Sequence, residues 1–149
     1  MTKKNLKVKV PQIPALDHVF LPTANFEKAW AFWTAAAGGE VGAMWEGDGH
    51  HAGMVKLGGV NVVVSQESQS AAEPELGYPI HYGRPVLFFK TPNIDKLYRD
   101  LANGGAPILR GPLTTHWGKR ALTVKAGEMV VAFVEDKSAA RKKPKSRKR

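Results

Sequence analysis

The chain has 149 residues, 43% of them hydrophobic and none of them cysteine, and a formal net charge of +9. That length supports one ordinary domain with a real core, and the missing cysteine excludes disulfides, thiolate ligands and a cysteine nucleophile. No stretch approaches the roughly 18 apolar residues of a membrane span, and the Lys-rich start is followed by no apolar run of a signal peptide, so a soluble, cytoplasmic protein is expected.

The positive charge belongs to the ends. A basic arm over 1–14 carries Lys3, Lys4, Lys7 and Lys9, and a tail over 137–149 holds eight Lys or Arg and no acid. The ten basic residues left between them face all 13 acids, so the body is negative by about three charges. The run from Arg141 to Arg149 repels itself and cannot bury apolar area, which predicts disorder. It offers phosphate backbones a weak, nonspecific contact through counterion release. Specific nucleic-acid recognition is not expected, because no aromatic residue is interleaved and no groove-reading helix accompanies it.

Along the chain, Leu16 to Thr23 reads as a strand, and Asn25 as the N-cap of a helix with Phe26, Ala29, Trp30 and Trp33 on one face. Gly38-Gly39 end that helix. Short β-type runs follow at Glu40 to Glu46, His51 to Leu57 and Val60 to Gln66, with Gly58-Gly59 as the turn of the last hairpin. The polar stretch from Glu67 to Arg84 contains Pro74, Gly77, Pro79 and Gly83 and reads as a connection, with the linker over 68–83. A second unit then repeats the first at an offset of 68 residues, so that Thr23-Ala-Asn-Phe-Glu-Lys-Ala-Trp30 meets Thr91-Pro-Asn-Ile-Asp-Lys-Leu-Tyr98. Here Asn93 caps a helix with Ile94, Leu97, Tyr98 and Leu101 on one face. Gly104-Gly105 end it, and strands follow at Pro107 to Arg110, Lys119 to Val124 and Glu128 to Glu135. At the far end the offset pairs Gly59 with Gly127 and Val62-Val63 with Val130-Val131. The expected fold is α+β: tandem βαβββ modules over 15–67 and 84–136, forming a cup-shaped mixed sheet with helices outside. A repeated unit tends to bind between its copies.

The two βαβββ units, the opening HVFLPTANFEKAWAFW and the ending HWGKRALTVKAGEMVVAFVED together resemble the vicinal oxygen chelate superfamily, which includes glyoxalase I, bleomycin-resistance proteins and extradiol dioxygenases. The resemblance covers residues 15–136. It implies a cup holding a divalent metal, with one ligand from the first and one from the last strand of each unit. Carried onto this chain, those positions are His18, Val86, Val63 and Val131. Three are valines with no donor atom, whereas a transition metal takes three or four imidazole or carboxylate ligands. The resemblance thus leaves two readings. One is a metal-free protein of the bleomycin-resistance kind that binds a small, largely apolar organic molecule. The other is a metal-dependent lyase, isomerase or dioxygenase of the glyoxalase type, with His18 joined by Gln66, Glu67 or a partner chain.

His18 is the candidate catalytic residue, able to hydrogen-bond a ligand or act as a general base; a lone His on an apolar strand is also a common core residue. The candidate pocket comprises His18, Trp45, Val63, Val86, Phe88, His116, Trp117 and Val131. Glu46, Asp48, His50 and His51 crowd one hairpin tip, where surface positions are the plainer reading. Arg110, Lys119 and Arg120 flank the His116-Trp117-Gly118 turn and suit an anionic ligand or a solvated strand end. The common nucleotide, hydrolase and zincin motifs are absent from the sequence. A homodimer is expected, since an open sheet gains from covered edges.

Overall fold

Each half of the chain folds as one strand, one helix and three strands in the computed structural model, which describes residues 14–47, 50–69 and 71–137. The first unit contains β1 (Ala15–Thr23), α1 (Phe26–Ala31), β2 (Glu40–Gly47), β3 (His50–Leu57) and β4 (Val60–Gln66). The second contains β5 (Val86–Thr91), α2 (Ile94–Asn103), β6 (Ile108–Thr114), β7 (Arg120–Ala126) and β8 (Met129–Glu135). The basic arm and tail, apart from Pro14 and Lys137, and Asp48 of the hairpin tip lie outside the described residues.

The helices begin where the sequence places them. Asn25 accepts from the Lys28 N–H and Asn93 from the Lys96 N–H, each at 3.1 Å, which satisfies one free donor of each first turn. Another donor is met from the last strand of the same unit: Phe26 N–H donates to Gln66 Oε1 and Ile94 N–H to Glu135 Oε2, both at 3.1 Å. After Ala31 the first helix widens into a π-helical turn over Phe32–Ala36.

All eight strands join one sheet in the order β2-β3-β4-β1-β5-β8-β7-β6. β1 and β5 pair antiparallel at its centre, each unit contributes one parallel pair (β1 with β4, β5 with β8), and the units are thereby related by a twofold-like repeat. Period-two alternation sends one set of side chains to the helices. Val55, Val62 and Val64 pack under Phe26, Trp30 and Trp33, and Leu122 and Val124 pack with Ile94 of α2. Gly53 is small for a reason: a Cβ there would stand 2.8 Å from the Trp30 ring.

The offset between the units is 68 at the helix caps and 69 from the last hairpin onward. Val19 faces Val62 and Leu87 faces Val131 across the parallel pairs, so Val131 matches Val62. The positive-φ turn residues are Gly58 (60°) and Gly127 (68°), so Gly58, and not Gly59, is the counterpart of Gly127. A second difference concerns the connection between β4 and β5. It is core: Leu76, Tyr78 and Ile80 are 1%, 3% and 2% exposed and pack on Val86, Phe88, Ala121, Ala132 and Val134. The third difference is β6, which runs to Thr114 through irregular register, well beyond Arg110.

Candidate functional site

The concave face is built from the side chains that alternate away from the helices. In the second unit these are Phe88, Ala121, Thr123, Ala132 and Val134, and the inter-unit connection lies across them as a strap. Its path is fixed by polar contacts. Thr123 Oγ1 donates to the Leu76 carbonyl at 3.0 Å and Arg110 Nη1 to the Glu75 carbonyl at 3.2 Å. Glu75 grips the β6–β7 turn, taking the His116 backbone N–H at 2.7 Å and meeting His116 Nδ1 at 2.6 Å. The Glu73 carboxylate accepts from the backbone N–H groups of Glu75 and Leu76. Tyr78 stands edge-on to Phe20 and Phe88 with centroids 6.0 and 6.3 Å away. Burial first, and then the charges of Glu73 and Glu67, raise its pKa far above the ordinary phenol value, so it stays neutral.

The strap fills the second unit's half of the cup and leaves the first unit's half more open. Because Gly53 and Val55 face α1, the alternate residues Ala52 and Met54 face the cup, as does Trp45, which pairs with Ala52 and is 48% exposed. On β4 the concave positions are Val63 and Ser65, between the helix-facing Val62 and Val64. At the centre stands His18. Its ring stacks on Phe88 at a centroid distance of 4.4 Å and an interplanar angle of 15°, and its Nδ1 lies 2.8 Å from Asp17 Oδ2. The chain bulges at Asp17, between the pairs Leu16–Phe89 and His18–Phe88, and this extra residue brings two adjacent side chains together. Asn61 Nδ2 donates to the Asp17 carbonyl at 3.3 Å.

The Asp17 carboxyl is held below its ordinary 3.8, first by the hydrogen bond with His18 and then by the charges of His18, Lys90 and Lys119, with burial opposing. A depressed folded-state pKa gives stabilisation that is present above the ordinary value and lost as pH falls through the lowered one. Asp17→Asn is therefore expected to melt below the wild type at about pH 6 and level with it at about pH 2. The difference should be small, since the Asp17 side chain is 39% exposed and solvent screens it. A gap that persists in the acid melt would show that the contribution is not ionic.

The other sequence candidates are dispersed. His116 sits at the rim, clipped to Glu75, and Trp117 is 45% exposed in the same turn. Val86 is buried under the strap at the end of the sheet opposite Lys90. It lines a cleft of about 380 Å³ with His81, Arg84, Glu128 and Met129, away from His18. Val131 corrects the expected pocket: it packs against the helix-side cluster, and the one-residue change of offset puts Ala132 on the concave face in its stead. Gln66 spends its amide oxygen on α1, and Glu67 Oε2 accepts from Ser65 Oγ at 2.5 Å. At the hairpin tip, His51 stacks on Phe26 on the helix side and lies 3.7 Å from Glu46. Asp17, Lys90 and the strap residues were missed. The alternation of Leu76, Tyr78 and Ile80 was the available signal for the strap.

The metal positions implied by the resemblance therefore read His18, Val86, Val63 and Ala132. One imidazole, with Nδ1 already engaged by Asp17, does not fit a divalent ion that takes three or four donors. Among the described residues no three His, Cys, Asp or Glu side chains gather as a ligand set.

Several solved structures share the fold. A hypothetical protein from Bacillus halodurans C-125 superposes with a TM-score of 0.62 at 13% identity, covering 91% of this chain and 99% of its own. Methylmalonyl-CoA epimerase from Mycobacterium tuberculosis gives 0.61 at 17% identity, covering 85% and 91%. A superfamily member from Vibrio splendidus 12B01 gives 0.56 at 16%, covering 82% and 100%. No curated protein matches the sequence. The family model for the Glyoxalase/Bleomycin resistance protein/Dioxygenase superfamily matches residues 15–138, and with the paired βαβββ units and the single curved sheet in place, the chain belongs to that superfamily.

Proposed function

We propose that this protein binds a small, largely apolar organic molecule on the open half of its concave face, without a metal. The observation that carries the reading is the arrangement around His18: a partly exposed imidazole, held by Asp17 and Phe88, where no third His, Asp or Glu among the described residues joins it as a ligand set. Apolar walls with one or two oriented polar groups are the usual make-up of a small-molecule site. Trp45 supplies a reporter on that face. Titration with N-phenyl-1-naphthylamine is expected to quench tryptophan emission saturably, to an equal extent with and without EDTA, and more weakly in Trp45→Phe. Binding abolished by EDTA would sink the metal-free reading.

The fold likeness to methylmalonyl-CoA epimerase supports a second reading, a metal-dependent lyase or isomerase in which a partner chain completes the ligands around His18. Elemental analysis of untagged protein separates the two: near-stoichiometric transition metal that disappears in His18→Ala would select the enzyme. Superfamily members commonly dimerise. A homodimer suits this chain as well, since β2 and β6 end the sheet and β2 exposes Val41, Met44 and Trp45.

A further inference from the structure

One end of the concave face gathers two lysines beside Asp17 and His18. β5 sends Val86, Phe88 and Lys90 to the same side, and Lys90 lies opposite Ala15, beside the bulge that holds Asp17 and His18. β7 starts at this end, so the β6–β7 turn carries Lys119 to the same corner. Both lysines act through space on Asp17, and neither makes an ion pair among the described residues. There the two lysines face the Asp17 carboxylate, while the Glu75 carboxylate of the strap is engaged by His116 in the same turn. His18 Nδ1 is taken by Asp17, and no described residue bonds its Nε2. Asp17 holds Nδ1, so Nε2 is the atom a ligand meets. The floor of the corner is the Phe88 ring on which His18 lies.

We propose that this corner takes the carboxylate of a small organic acid, which His18 Nε2 and Lys90 bind directly and Lys119 attracts, while the acid's apolar or aromatic body lies along the open half of the cup. The assignment deepens the cup-binding reading and rests on it. Asp17 is a positioning residue, since its carboxylate repels a second anion and acts only through His18. Lys90 and His18 set the specificity for acid over neutral analogue, because a charged hydrogen bond in a half-buried site is the strong kind.

The test uses the full chain and two probes of equal shape, phenylacetate and phenylacetamide, titrated by ligand-observed NMR. The acid is expected to bind about 10-fold tighter than the amide, the range a hydrogen bond to a charged group supplies. Lys90→Met and His18→Gln should each abolish that preference. Lys119→Met, in an exposed turn where folding is not at stake, should reduce it and weaken its dependence on salt. Equal affinity for acid and amide in the wild type would overturn the carboxylate assignment and leave the cup reading standing; binding of neither would overturn both. A preference that survives in all three variants would place the acid elsewhere and also overturn the assignment, the cleft around His81 and Arg84 being the next place to look.

Discussion

Leu76→Ala is expected to destabilise the protein by about 2–5 kcal/mol, the range for deleting a fully buried leucine side chain beyond Cβ. A residue in a surface connection between two repeats would ordinarily change stability by less than about 0.5 kcal/mol. Leu76 is expected to behave otherwise because it is 1% exposed and packs with Tyr78, Ile80, Phe88, Ala121, Ala132 and Val134. Thr123, Arg110 and the Glu75–His116 pair also fasten the strap in place, so the cavity has little freedom to collapse. Urea unfolding followed by tryptophan emission measures the loss. A shift below about 0.5 kcal/mol would mean that the strap is a surface element and that the second half of the cup opens to solvent.

Gly111→Ala is the next largest expected effect. Gly111 has φ +102°, in the region L residues avoid, and a Cβ there would stand 2.7 Å from the Ala121 carbonyl oxygen and 2.9 Å from the Leu122 Cα. Both neighbours are backbone of β7, so neither yields as a flexible side chain would. The backbone conformation alone is worth about 1–3 kcal/mol, and the contact adds to it. A fall in melting temperature of several degrees is expected, at about 2–4 °C per kcal/mol for a chain of this length. Unchanged melting would show that β6 can take another path past β7.

The sequence carried the repeat plainly because helix caps are local. Asn25 and Asn93 each act on a backbone N–H three residues on, and nothing distant has to be known to place them. Strand faces were harder to read. Two adjacent valines fit either side of a sheet, and only the pairing of Val62 with Val19 and of Val131 with Leu87 decides which faces the helices. The extra residue in the second unit, silent in composition, moved Val131 away from the cup. The strap was concealed by Pro74, Gly77 and Pro79, turn-forming residues that marked the segment as a connection, while the alternation of Leu76, Tyr78 and Ile80 among them marked it as half-buried. The Asp17–His18 contact was illegible because neighbours on a regular strand point to opposite faces, and the bulge that joins them depends on the opposing strand.

The strap also bears on how the chain divides. A fragment starting at the first residue of β5 would look like a complete βαβββ unit, yet it would present Val86, Phe88, Ala121, Ala132 and Val134 to water, the apolar floor that Leu76, Tyr78 and Ile80 cover in the whole protein. The second repeat is thus not self-sufficient. Fragment complementation or circular permutation would succeed only with a cut upstream of the strap, near Glu67, so that the structural seam lies before the connection, even though the sequence repeat resumes after it.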